Sequence, residues 1–210
     1  MRAAGIVLSD GALRRADKGL SNMLLPLDGE SLLHRAVRRA LRVGLSPVIV
    51  VAGDEEEGFR TAVADLDCEC VVGHIQAALR RLDRHCDAAV LLESGMPRVS
   101  ERMIGTLLAA ARRCPAPLIV SRYGGVTAPP LLFRRALFGE LLAANGDGSC
   151  KQVMQRHRED ALYLDWAPDL FGNATAGGSR RPARATQAMG PGRRARERRR
   201  TSAPTHHALP

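Results

Sequence analysis

AGIVLSDGALRR, residues 4–15, decides the reading of this chain. Ala4 to Leu8 is an unbroken apolar run, the pattern of a short strand buried on both faces. Ser9-Asp10-Gly11 ends it as a turn. A glycine directly after a buried strand lets backbone N–H groups approach an anion closely. Arg14, Arg15 and Lys18 add charge suited to a triphosphate, the arginines as forks and the lysine as a point charge.

Beyond this loop, strands and helices alternate. Leu32, Leu33, Ala36, Val37, Ala40 and Leu41 recur at helical spacing, with arginines on the opposite side, and Gly44 closes that helix. Pro47 to Ala52 is a second all-apolar strand, and Asp54 with Glu57 resembles a capping box opening a helix to about Asp65. Further strands are expected at Cys68–Val72, Asp87–Leu92, Pro117–Val120, Pro130–Phe133 and Ala161–Asp165. Helices are expected at Ile75–Leu82, after Ser100, over Arg134–Ala144 and from Ser149. Strand and helix repeated in this way imply parallel pairing through right-handed crossovers, hence a three-layer α/β sandwich with helices on both faces. In such sheets a ligand sits outside the carboxyl ends of the strands, which directs attention to the loops after Leu8, Ala52, Val72, Leu92 and Val120.

Composition divides the chain in two. Of the net charge of +9, residues 173–210 carry +8, from nine arginines (Arg180, Arg181, Arg184, Arg193, Arg194, Arg196, Arg198, Arg199, Arg200) against Glu197. Residues 1–172 are therefore nearly neutral and form the expected domain. Residues 173–210 lack large hydrophobes and periodicity, and are expected to be a disordered Arg-rich tail with weak nucleic-acid binding through charge. No apolar run reaches 18 residues, so no membrane helix is expected, and a cytoplasmic location is the default. The five cysteines show no C-x-x-C pair and no disulfide framework. Cys68 and Cys70 share a strand face and read as packing. Asp65-Leu66-Asp67 precedes its strand and so falls at the wrong end of the sheet for a metal motif.

The ordered set of motifs resembles the MobA-like NTP transferases. That family opens approximately as LAAGxSRRMGxPKxLLPLxG; this chain reads LSDGALRRADKGLSNMLLPLDG, matching at Gly11, Arg14, Arg15 and Leu24 to Gly29. Gly124-Gly125, followed by Pro130 and LLFRRALFGELL, resembles a later family segment, and Gly146-Asp147-Gly148 its GDxG turn. The resemblance spans about residues 4–170. It implies a mostly parallel Rossmann-like nucleotidyltransferase sheet and transfer of NMP from CTP or GTP to a phosphate-bearing acceptor of the molybdopterin type. It implies Leu8, Ser9, Gly11, Arg14, Arg15 and Lys18 at the nucleotide, with Mg²⁺ as cofactor.

The departures fall on the charged positions. Asp10 replaces an alanine beside the expected triphosphate, and the PK lysine falls at Asn22. The GDxP motif, whose Asp holds Mg²⁺, reads Ser94-Gly95-Met96-Pro97, so Gly95 removes that ligand. The carboxylates left near the expected metal are Glu93 and Asp165. No residue is assigned to catalysis itself. Nucleotidyl transfer needs cations positioned on the phosphates, so the alternative expectation is a catalytically weakened relative acting as a nucleotide- or pterin-binding maturation factor.

Overall fold

The computed structural model describes residues 1–9, 26–27, 29–52, 56–144 and 148–171. Its strands are β1 (Ala3–Leu8), β2 (Pro26–Leu27), β3 (Glu30–Ser31), β4 (Val48–Ala52), β5 (Glu69–Val72), β6 (Ala88–Glu93), β7 (Leu118–Tyr123), β8 (Val126–Arg134) and β9 (Leu162–Trp166). The helices are α1 (Leu32–Arg42), α2 (Glu56–Ala62), α3 (Ile75–Arg81), α4 (Glu101–Arg113), α5 (Phe138–Ala143) and α6 (Ser149–Arg156).

Seven strands form one sheet in the order β5-β4-β1-β6-β8-β7-β9, while β2 and β3 make a separate small hairpin. All pairings of the large sheet are parallel except those of β8, which runs against both β6 and β7. Strand alternation divides the core. Val7, Val48, Val50, Val90 and Leu92 face a cluster with Leu33 and Val37 of α1 and Ile104 and Leu107 of α4. Ile6, Leu8, Ile49, Val51 and Leu91 face the other cluster, with Leu79 of α3, Leu141 of α5 and Val153 of α6. Each fully buried Leu, Ile or Val contributes about 1.5–3 kcal/mol relative to exposure. The expected three-layer α/β architecture is what the chain forms.

Local signals set the helix ends. The Ser31 hydroxyl accepts from the His34 N–H at 3.1 Å, and the Ser100 hydroxyl from the Met103 N–H at 3.3 Å. At the end of α1, Gly44 sits at φ +79°, with Gly44 N–H on the Leu41 carbonyl (2.9 Å) and Leu45 N–H on the Ala40 carbonyl (3.1 Å). This is the paired bonding of a Schellman cap.

Three expectations change. The strand expected at Pro130–Phe133 begins at Val126 and is antiparallel, because Gly124 (φ +56°) and Gly125 (φ +92°) join it to β7 through a two-residue turn. Helix was expected from Arg134, but Arg134 ends β8, its guanidinium donating to the carbonyls of Cys114 (2.8 Å), Ala116 (3.0 Å) and Ala111. α2 ends at Ala62 rather than near Asp65. Asp54 of the expected capping box and the tail 173–210 lie outside the described residues. None of the five cysteines is in a disulfide; burial pushes the Cys68 thiol up to about 11, with neighbouring Cys70 adding to the shift.

Candidate active site at the carboxyl edge of the sheet

The chain leaves β1 for β4 on one side and later returns to β6 on the other, so the strand order reverses between β1 and β6. Such a reversal opens a crevice at the carboxyl ends. Leu8 and Glu93 end β1 and β6 in register. Ser94 locks the two ends together: its N–H and its hydroxyl both donate to the Leu8 carbonyl, at 3.0 and 3.2 Å. On the other side the Ser9 N–H donates to the Val51 carbonyl at 3.1 Å. Leu8 and Ser9 are thus buried, with these backbone groups engaged inside the sheet. Their place in the site is to fix where the following loop starts. Gly11, Arg14, Arg15 and Lys18 of that loop lie outside the described residues.

The loop after β6 is held from both sides. Half-buried Arg39 of α1 reaches across to donate to the Pro97 carbonyl at 2.9 Å and the Val99 carbonyl at 2.7 Å. Burial lowers the Arg39 pKa, and these two carbonyls satisfy a guanidinium withdrawn from water. From the loop itself, Arg98 donates to the Asp169 carbonyl. Ser94, Gly95 and Met96 are buried in between.

The far half of the edge is closed by residues 167–171. Pro168 lies against the β7–β8 turn so closely that a Cβ on Gly124 would stand 3.0 Å from the proline Cγ. The Phe171 ring packs 5.9 Å from that of buried Tyr123. Together with the Arg98 contact, this segment spans from β9 over β7 and β8 to the loop of β6.

Asp165 on β9 stands opposite Arg122 on β7. The Arg122 Nε and Nη2 donate to the two carboxylate oxygens at 2.6 and 2.8 Å, and the guanidinium carbon lies 5.0 Å from the Tyr163 ring centroid. The hydrogen bonding from Arg122 holds the Asp165 carboxyl below the usual carboxylate range.

The two carboxylates expected at a metal are therefore not brought together. Glu93 is half-buried at the end of β6, while Asp165 is on β9, three strand spacings or about 14 Å across the sheet. No group of three or more His, Cys, Asp or Glu side chains that could hold a metal ion occurs among the described residues. With Gly95 at the usual ligand position and Asp165 in an ion pair, the described donors do not fit a resident Mg²⁺.

Sequence reading missed the Arg122–Asp165 pair and the Arg39 brace. Both join segments far apart in the chain, and only the sheet order brings them together. For Arg39, a basic residue four positions after Arg35 on an amphipathic helix reads as solvated surface.

No helix among the described residues is long and apolar enough to cross a membrane. A comparison with curated proteins found no match. Among solved structures, the chain is similar to the Mycobacterium tuberculosis protein Rv0371c in complex with manganese, with TM-score 0.68, 22% identity, and 80% of this chain and 89% of that one covered. It is similar also to a CMP:2-keto-3-deoxy-manno-octonic acid synthetase complexed with CTP, with TM-score 0.60, 15% identity and coverage of 80% and 90%. A nucleotidyl transferase from Methanothermobacter gives TM-score 0.63, 16% identity and coverage of 82% and 91%. At these identities the likeness is one of fold. The sequence itself matches the model of the MobA-like NTP transferase domain over residues 5–161, so a reversed-order α/β sheet and its sequence pattern converge: the chain belongs to the MobA-like NTP transferase family.

Proposed function

We propose that the chain transfers a nucleotidyl group from CTP or GTP to a phosphate-bearing acceptor, a molybdopterin-type pterin by analogy with the family. The supporting observation is the reversal of strand order between β1 and β6, the place where such sheets bind ligands. The ends of β1 and β6 are pinned there by Ser94, directly before the loop that carries Gly11, Arg14, Arg15 and Lys18. In this reading Gly11 lets backbone N–H groups near the triphosphate, while Arg14, Arg15 and Lys18 hold its oxygens. An acceptor phosphate oxygen then attacks the α-phosphorus in line. The new P–O bond forms as the bond to the bridging α–β oxygen breaks, and the electron pair leaves with pyrophosphate. Glu93 and Asp165, three strand spacings apart and the latter paired with Arg122, do not form a shared cation site in this reading, and no step is drawn through a metal.

A second reading has its own observation. Gly95 in place of the usual metal ligand, with Asp165 held by Arg122, favours a relative that binds nucleotide or pterin as a maturation factor with little turnover. Isothermal titration with CTP and GTP, with and without Mg²⁺, combined with a pyrophosphate-release assay, separates the two. Magnesium-dependent binding with pyrophosphate release supports the transferase. Binding indifferent to magnesium and without turnover supports the maturation factor. Absence of any nucleotide binding ends the transferase, and absence of pterin binding as well ends both.

A further inference from the structure

Strand β5 is an outer edge of the seven-stranded sheet, and no described strand lies beyond it. The Gly73 N–H donates to the Ala52 carbonyl at 3.2 Å. Backbone groups of successive strand residues point to opposite sides. Those of Val71 therefore face β4 as well, while the N–H and carbonyl of Val72 face away from the sheet. The Val72 side chain beside them is 51% exposed. An open edge of this kind is a template for an added strand.

Two cavities run along this edge. One, of about 600 Å³, lies toward α2, with Val63, Ala64, Leu66, Cys68 and Cys70 among its walls. The other, of about 390 Å³, lies between Val71 and Val72 of β5 and Ala77 and Arg80 of α3. Arg60 and Arg81 line both. Strand alternation separates the two: Cys68 and Cys70 pack toward the core cluster of α1 and α4, and Val71 toward that of α3. An extended segment laid along β5 alternates in the same way. One set of its side chains then meets a mainly apolar wall, and the other meets arginines. The charged residues around the cavities are Arg60, Arg80 and Arg81 against Glu69, which lies 3.3 Å from Arg81.

We propose that β5 takes an added strand from a partner protein, an extended segment in which apolar and acidic residues alternate. Backbone bonds to Val72 align it, apolar side chains enter the cavity toward α2, and carboxylates meet Arg80 and Arg60. The arginines select the occupant, because they repel a second copy of the same edge and the arginine-rich residues 180–200 while attracting carboxylates. β4 stands between this edge and β1, so the surface is separate from the nucleotide site and stands without it.

The test uses the full chain and a labelled, end-blocked peptide of alternating valine and glutamate, about seven residues long, followed by fluorescence anisotropy. A version methylated at every backbone nitrogen keeps each charge but cannot pair as a strand. The expected result is one peptide per chain, with roughly tenfold weaker binding of the methylated version and of a valine–lysine peptide. Val72→Pro removes an outward N–H while leaving the ladder to β4 intact, so it should weaken the glutamate peptide by a similar factor in a chain that still unfolds cooperatively. The double variant Arg60→Glu, Arg80→Glu leaves the strand untouched and should shift the preference toward the lysine peptide, which decides the matter if the proline variant does not fold. Equal binding of the parent and methylated peptides means that charge alone, including that of residues 180–200, attracts them, and overturns the proposal. So does absence of binding, an unaltered affinity in a folded Val72→Pro chain, or a preference that the double variant does not shift. Sedimentation of the chain alone is the last arm: a dimer that Val72→Pro dissociates gives this edge to a second copy, and overturns the acidic partner.

Discussion

Arg122 and Asp165 meet as a two-pronged ion pair across adjacent parallel strands, at 2.6 and 2.8 Å. The pair fixes the ionised form of a carboxylate that would otherwise be a candidate metal ligand. Its hydrogen bonds lower the Asp165 pKa and raise that of Arg122. Arg122→Gln is therefore expected to return Asp165 toward the ordinary carboxylate range, as followed by carboxyl-carbon NMR titration. An unchanged titration would show that something other than Arg122 holds the charge. Both side chains are substantially exposed, so added salt should weaken the effect.

The turn joining β7 to β8 offers an internally controlled pair of substitutions. Gly124 and Gly125 both have positive φ, but a Cβ at 124 would meet Pro168 at 3.0 Å whereas at 125 it would meet open space. Gly125→Ala should cost about 1–2 kcal/mol through backbone strain alone. Gly124→Ala should cost measurably more, because Pro168 must also move. Urea denaturation of the two variants decides the matter, and equal costs would refute the close packing of residues 167–171 on the turn.

Arg39 holds the loop of Ser94 to Val99 by its two carbonyls. Replacing it with methionine keeps much of the apolar stem but removes both donors. A loss of about 1–3 kcal/mol of stability is expected from the unsatisfied carbonyls. Nucleotide affinity should fall as well, since this loop carries Ser94 and its lock on Leu8. Calorimetry and thermal unfolding measure the two losses separately.

His34 sets a pH dependence remote from the crevice. Its Nδ1 lies 2.6 Å from Glu30 and its Nε2 3.0 Å from Asp65, so one ring ties the start of α1 to the segment after α2. Hydrogen bonding to Asp65, then to Glu30, raises the His34 pKa above its ordinary 6.5, although burial opposes this. The same bond to His34 lowers Asp65. For Glu30, burial is the largest single influence and acts upward, but His34, Arg38 and Arg35 together outweigh it and lower the pKa. A raised histidine stabilises the fold fully below 6.5, and that contribution disappears as pH rises through the raised value. The lowered carboxylates contribute fully above their ordinary 3.8 and 4.5, and lose it on acidification. The cluster is therefore strongest between about pH 4.5 and 6.5. His34→Gln should flatten the decline in unfolding midpoint on the alkaline side of that window.

Much of this architecture could be read from residue order, and the reasons are local. Ala4 to Leu8 and Val48 to Ala52 have no polar residue to place outward, which leaves a strand covered on both faces as the economical solution. Ser100 and Gly44 mark helix ends because their chemistry is specific to those positions. The direction of β8 was not legible from its own apolar run, since a buried strand has the same composition whichever way it points. The signal was present next door: two consecutive glycines between apolar runs favour a tight hairpin. At the site, the sequence pointed to the carboxyl edge through the loop after Leu8. It could not show that Asp165 is partnered, because the partner is 43 positions away in the chain and meets it only once β7 and β9 are neighbours.

Because β7 turns back at once instead of crossing over through a helix, the far half of the carboxyl edge carries a two-residue tip, flanked on the Gly124 side by Pro168 and open at Gly125. Extra residues inserted there would grow outward as a canopy above the crevice. They would leave the order of the strands, the division of apolar side chains between the two faces and the handedness of every crossover untouched. One short hairpin thus gives the scaffold a rim that can lengthen while the platform beneath stays the same.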